Sequence, residues 1–242
     1  RARAEKLRER PCGVLVRGKL PGVRDERGGV KVLDLFCGAG GAAMGLHRAW
    51  PDAEIIGVDI KPQKHYPFTF ILGDAMTFPL EGYDFIWASP PCEGFSVASV
   101  VHRNNGKDYP DLLSPTRARL YAQTIAWVIE NVPNSPLNTH VIRLWGLMFG
   151  LRVFRHRLFQ TSWCSFGLSH PTHKGKRIGE GYFSIAGGAG RWKTWGTVKR
   201  NVSKGTAAEW RKAMGIDWMT RAELTKAIPP AYSEFIAKQV PR

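Results

Sequence analysis

No stretch of this chain approaches the ~20 apolar residues needed to cross a bilayer, and Arg1 to Arg10 carry no apolar signal-peptide core. Neither membrane insertion nor export is expected. Cysteine is scarce, with only Cys12, Cys37, Cys92 and Cys164, none in a Cys-x-x-Cys pair. That spacing argues against a zinc site, so no metal is expected, and wide spacing without an export signal predicts reduced thiols. There is no internal repeat. Acidic residues are few, 20 against 35 Lys and Arg, which leaves a formal net charge of +15. The deficit is uneven. From Gly150 to Lys212, 13 Lys/Arg stand against only Glu180 and Glu209, interleaved with Trp163, Trp192, Trp195 and Trp210. Basic residues mixed with aromatics and glycines suit a nucleic-acid face better than an amphipathic membrane helix, so a polyanionic partner is expected.

The 242 residues suffice for one good-sized domain with a real core. Residues 1–30 read as a charged, then Gly/Pro-punctuated lead-in. After them short apolar runs alternate with helical ones. Strands are expected at Val32–Phe36, Glu54–Val58, Phe68–Leu72, Phe85–Ala88 and Val153–Thr161, and helices at Gly41–Ala49, Thr116–Val128 and Glu234–Gln239. This rhythm predicts a parallel α/β sheet. Residues 31–163 form the expected catalytic and cofactor domain. The stretch 164–210 breaks the rhythm and reads as a small inserted recognition region, and 211–242 returns to the main domain.

Strand Val32–Phe36 runs into Cys37-Gly38-Ala39-Gly40-Gly41 and then a helix. Glycines there let the backbone approach a ligand, and a helix N-terminus favours negative charge. Alone this is equally a tight turn. Asp59 closes the next strand about 20 residues on, where a carboxylate binds ribose hydroxyls, and Asp74 closes the third. Either acid alone is equally a turn or a helix cap; the three features in register point to a nucleoside cofactor.

Strand Phe85–Ala88 delivers Pro90-Pro91-Cys92, a thiol on a stiff turn at a strand end. Free cysteine is more often a small buried hydrophobe, but the glycine- and polar-punctuated segment that follows argues against burial. Glu130-Asn131-Val132 comes later, at the end of the apolar run Ile125–Ile129, a helix or a strand.

Asp34-Leu35-Phe36-Cys37-Gly38-Ala39-Gly40-Gly41, Pro90-Pro91-Cys92, Glu130-Asn131-Val132, Arg155-His156-Arg157 and Pro229-Pro230, in this order, resemble the motifs of the cytosine-C5 DNA methyltransferase family. The resemblance runs from about residue 31 to the C-terminus. It implies a Rossmann-like methyltransferase fold, S-adenosylmethionine as cofactor, and duplex DNA as substrate. Phe36, Gly38, Gly40, Ile60 and Pro90 would line the cofactor site, with Asp59 (where the family usually has Glu) on the ribose and Asp74 on the adenine amine. Cys92 would add to cytosine C6, with a thiol pKa lowered by nearby arginines. Glu130 would bond N3 and the exocyclic amine, braced by Arg155 and Arg157, which would also contact O2. The base must be flipped to be reached, and residues 93–113 would close over it. By the same resemblance, the compact length and short recognition region look phage- or prokaryote-like, and a monomeric, cytoplasmic enzyme of a prokaryotic or phage-infected cell is expected.

The chain departs from the family pattern at three points. Val153 stands where a glutamine precedes the two arginines. Glu93 follows the cysteine where glutamine is usual. Thr225-Lys226 replaces Gly-Asn before the final Pro-Pro. Lys226 near the sulfonium would be repelled by about 3 kcal/mol at ~5 Å and an effective dielectric near 20. It either turns to solvent, a phosphate or the cofactor carboxylate, or favours carboxy-S-adenosylmethionine and carboxymethyl transfer. An RNA cytosine-C5 methyltransferase and a silent DNA-binding module are the remaining alternatives.

Overall fold

The structure is a computed structural model that describes residues 29–96, 99, 104–185 and 205–241. Most of the 1–30 lead-in, with Cys12, and Trp192 and Trp195 lie outside the described residues, as does Arg103, which with Lys107 is a candidate partner for Glu93 by sequence. The elements in chain order are β1 (Lys31–Leu35), α1 (Gly41–Ala49), β2 (Glu54–Asp59), β3 (Thr69–Leu72), β4 (Phe85–Ala88), α2 (Leu113–Tyr121), β5 (Ala126–Asn131), β6 (Val141–Leu144), a 3-10 turn (Gly146–Phe149), β7 (Arg157–Thr161), α3 (Ala207–Met214), α4 (Arg221–Leu224) and α5 (Pro230–Ala237). The strands form one sheet in the order β3-β2-β1-β4-β5-β7-β6. β1 to β5 are parallel, and β7 runs antiparallel to both of its neighbours. The chain winds one way from β1 to β3 and the other way from β4 onward. The reversal leaves a crevice beyond the carboxyl ends of β1 and β4, where open α/β sheets bind ligands.

Period-two alternation divides the central strands between two cores. Val32, Phe85, Trp87, Ala126 and Val128 face α1 and α5, meeting Ala42, Leu46, Tyr232 and Ile236. Leu33, Leu35, Ile86, Trp127 and Ile129 face the other way, against Leu113 and Leu120 of α2. Both faces are buried, so these strands read as continuous apolar runs. That explains one miss. The expected helix Thr116–Val128 ends at Tyr121, and its apolar tail is the central strand β5, in register with β4 through Phe85↔Ala126.

Four other expectations shift. The strand expected over Val153–Thr161 is regular only from Arg157, since Val153 makes an isolated bridge to Phe183. The last helix begins at Pro230 rather than Glu234, proline being well tolerated where no amide donor is needed. Trp163 and Trp210, expected on a nucleic-acid face, are buried. Trp163 packs in the first core, and Trp210 joins Met214, Leu224, Val153 and Ala39 in a third. Cys37 and Cys92 are free thiols, whereas Cys164 is disulfide-bonded, against the expectation of reduced thiols throughout.

α1 and α5 cross at glycine. A Cβ on Gly45 would sit 2.0 Å from the Pro230 carbonyl and 2.1 Å from Ser233 Oγ. The Ser233 hydroxyl donates to Ala42 O at 2.8 Å, fixing the crossing. Gly45→Ala is expected to cost about 1–3 kcal/mol through overpacking, lowering Tm by roughly 2–12 °C at this size. Gly167→Ala is the control, because its Cβ meets only ordinary contacts at 3.9 Å. Parallel calorimetric scans in which the two variants melt together would contradict this account of the crossing.

Candidate active site

The cofactor side is built by the turn after β1. Phe36, Gly38 and Gly40 all adopt positive φ, at 57°, 50° and 80°. Gly40 has no room for a side chain, since a Cβ would lie 2.5 Å from Pro67 Cδ, whereas Gly38 faces open space. Gly40 is also the N-cap of α1. Asp59 at the end of β2 accepts the Gly38 amide at 3.1 Å and the Lys61 amide at 2.9 Å, so the carboxylate braces the glycine turn. Beside it Ile60 is 69% exposed. Asp74, after β3, is exposed and accepts the Met76 amide at 2.8 Å. A glycine turn open at Gly38, flanked by two strand-end carboxylates and an uncovered isoleucine, fits a nucleoside.

Beneath this turn lies Asp34, which is fully buried. Burial pushes its pKa up to about 8; the Tyr66 hydroxyl, donating at 3.3 Å, holds it down in part, and Asp59 raises it again. Tyr66 was not singled out from the sequence. Its ring lies where a Cβ on Gly57 of β2 would intrude, at 2.3 Å, a fit that only the folded sheet reveals. Trp218 was also missed; its indole donates to Ala39 O at 2.8 Å and ties the C-terminal segment to the glycine turn.

The thiol side begins where β4 ends. Pro90 is buried, and its carbonyl accepts from the Asn131 side chain at 3.1 Å. The Asn131 carbonyl oxygen in turn accepts the Val132 amide at 2.9 Å. A buried asparagine thus fixes the Pro-Pro turn to the end of β5, one residue from Glu130. Cys92 follows, half-buried, its carbonyl closing a turn by accepting from Phe95 and Ser96 at 2.9 and 2.8 Å. Gly94 and residues 106–109 line an open pocket beside this turn.

Glu130 is buried, its carboxylate paired with Arg157 Nε at 2.9 Å. Ser89 also hydrogen-bonds the carboxylate, and the Ser89 hydroxyl itself accepts from Trp87 Nε1 at 3.0 Å. Burial raises the Glu130 pKa despite both arginines and these hydrogen bonds. Burial likewise raises the Cys92 thiol. Arg157 lowers it, Glu130 and Glu93 raise it, and Arg155 lowers it. The arginines act in the expected direction, but burial outweighs them.

Arg155 departs from its expected role. Among the described contacts only Arg157 pairs with Glu130. The Arg155 guanidinium donates to the carbonyls of Ile185 and Thr225, at 2.7 and 2.9 Å, and its own carbonyl accepts the Tyr232 hydroxyl at 2.6 Å. It is a buried junction between β7, residue 185 and the C-terminal segment. Val153 explains its own departure from the family pattern. It is fully buried in the third core, where a glutamine would need polar partners. Lys226 is exposed, with no side-chain partner among the described residues. Its neighbours are fixed, Thr225 by Arg155 and Ile228 by contact with Gly41 at the start of α1.

The fold therefore brings Cys92, Glu130, Arg155 and Arg157 together at one end of the sheet, next to the turn that holds Phe36, Gly38, Gly40 and Asp59. Residues 30–136 match the family model of C-5 cytosine-specific DNA methylases. No curated protein matches the chain. Among solved structures, the Entamoeba histolytica methyltransferase EhMeth aligns with a TM-score of 0.55 at 14% identity, over 86% of this chain and 96% of that one. An RNA methyltransferase from Salinibacter ruber overlaps over 57% of this chain and 83% of that one, at 14% identity and a TM-score of 0.35. The plantazolicin methyltransferase BpumL overlaps over 45% and 41%, at 17% identity and a TM-score of 0.30. The family's cofactor is S-adenosylmethionine. The chain thus has a fold shared with a methyltransferase, and its residues 30–136 resemble the C-5 cytosine-specific DNA methylase family.

Proposed function

We propose that the protein methylates C5 of a cytosine flipped out of duplex DNA, through a covalent adduct of Cys92 with C6. The reading rests above all on the Asn131–Pro90 tie, which keeps the thiol turn and the Glu130 carboxyl side by side at one strand end. Cytosine C5 is a poor nucleophile. Addition of the Cys92 thiolate to C6 turns the ring into an enamine whose C5 can attack an electrophile. Glu130 bonds N3 and the exocyclic amine and relieves the negative charge that addition creates. Its raised pKa suits it to supply a proton there. Arg157 orients Glu130 and, by its charge, eases thiol ionisation. Arg155 is a positioning residue, holding that strand end to Thr225 and Ile185.

The cofactor, when bound, supplies the electrophilic methyl group. Gly38, Gly40 and Asp59 would hold its ribose and backbone, with Ile60 and Asp74 at the adenine. After transfer a base removes the C5 proton and the Cys92–C6 bond breaks. The basic stretch 150–212 would hold phosphates and read bases, with exposed Arg152, Lys174 and Arg177 on phosphates.

Trapping on duplex DNA carrying 5-fluorocytosine tests this reading, since fluorine blocks the final proton removal. With S-adenosylmethionine a stable protein–DNA adduct is expected. Cys92→Ala should form none yet still bind DNA, and Glu130→Gln should slow trapping by about 10²–10⁴-fold. Because the thiol titrates above an ordinary cysteine's 9.0, trapping should accelerate as pH rises from 7 to 9. An equal adduct with Cys92→Ala sinks the mechanism. Trapping on 5-fluorocytosine RNA but not DNA moves the substrate to RNA, and none on either favours a silent binder.

A second reading concerns the group transferred. Thr225 is held by Arg155 on the thiol side and Ile228 abuts Gly41 on the cofactor side. Lys226 therefore sits at the junction of the two halves. A cation there would pair with a carboxylate on the transferred group of carboxy-S-adenosylmethionine, giving 5-carboxymethylcytosine. Single-turnover rates with each cofactor decide. Lys226→Asn should shift preference toward S-adenosylmethionine by roughly 10-fold or more, a few kcal/mol of ion pairing being at stake. Clear preference of the wild type for the unmodified cofactor removes this reading.

A further inference from the structure

Outside the site just described, the fold gathers three histidines that the sequence keeps apart. His156 lies between the two site arginines, and His170 and His173 lie in the loop after β7. One ring nitrogen from each falls within 4.8 Å of the other two. Two of the rings pack against the Trp145 indole, His156 edge-on at a centroid distance of 4.2 Å and His173 tilted at 4.8 Å. The Trp145 ring is almost completely buried, so the histidines are placed against a fixed wall. His170 and His173 are themselves exposed, so their rings can turn.

We propose that His156, His170 and His173 bind one divalent transition-metal ion, Zn²⁺ being the best match, with water completing the shell. Zinc–nitrogen bonds of about 2.0–2.1 Å place tetrahedral nitrogens about 3.3 Å apart. The widest pair must therefore close by about 1.5 Å, a movement within reach of two exposed rings. The ligand set is all imidazole, with no carboxylate, which selects Zn²⁺, Cu²⁺ or Ni²⁺ over Mg²⁺ or Ca²⁺. The surroundings favour the same class. Arg143 and Arg157 both act on His156 as positive charges. A hard cation held mainly by electrostatics would be repelled there, whereas strong metal–nitrogen bonds overcome that field.

The ion would act as a clip. His156 is covalently flanked by Arg155 and Arg157, while His170 and His173 belong to the loop that carries Lys174, Lys176 and Arg177. A metal bridging them would fix the basic loop against the segment that orients Glu130. The absence of Cys-x-x-Cys pairs gave no hint of this. The ligands come from two segments 14 residues apart, and the intervening β7 must fold before they meet.

The test uses the full chain without a histidine tag, stripped with chelator, then titrated with Co²⁺ and with Zn²⁺ against a chromophoric competitor. The expected result is one ion per chain and the intense visible absorption of tetrahedral Co²⁺. His170→Ala and His173→Ala should each weaken Zn²⁺ by about 100-fold or more, since even outer-shell losses cost about 10–100-fold. Cys92→Ser should leave binding intact, which excludes the reactive thiol as the ligand. Circular dichroism checks that the variants fold. Binding that survives both histidine substitutions, or that disappears with Cys92, overturns the proposal. So does a stoichiometry well below one, which leaves an aromatic cluster around Trp145.

Discussion

The ion pair between Glu130 and Arg157 is the interaction around which this molecule is arranged. A carboxylate in a nearly closed site is expensive to desolvate, and removing the partner of such a pair costs about 3–5 kcal/mol. The fold meets that demand with the antiparallel strand β7, which starts at Arg157 and pairs with β5 through Glu130↔Phe159 and Asn131↔Leu158. The sheet thus delivers acid and base to neighbouring strands. The partner is an arginine, which remains charged where a lysine would readily lose its proton. Ser89, oriented by Trp87, adds the hydrogen bond that completes the shell.

Thiol and carboxyl are both raised by burial, though in the proposed mechanism they serve opposite proton states. The acid benefits, since it retains a proton to a higher pH. The thiol does not, and Arg157 is the charge that most offsets the penalty. One guanidinium therefore serves both groups, and the whole cluster shares a single electrostatic balance. The Asn131–Pro90 hydrogen bond keeps that balance fixed by preventing the Pro-Pro turn from drifting away from β5.

The parallel α/β order, helix Gly41–Ala49 and strand Phe85–Ala88 were legible because local pattern and final burial agree there. The short motifs were legible because each clusters unusual residues at a strand end. What failed depended on distant partners. The apolar run Ile125–Ile129 has no period that separates a helix from a strand buried on both faces. Arg155 looked like a partner for Glu130 by spacing, yet its hydrogen bonds go to carbonyls 30 and 70 residues away. α3 and α4 carried a readable signal that went unused: Thr206 with Glu209 and Thr220 with Glu223 each form a capping box.

The crossing of α1 and α5 at Gly45 joins the helix that follows the glycine turn to the last helix of the chain. The core beneath the cofactor turn, with Ala42 and Leu46, is completed by Tyr232 and Ile236, and Tyr232 also holds the Arg155 carbonyl. A single crossing thus couples the glycine turn after β1 to the Arg155 segment, so loosening α5 would disturb both at once.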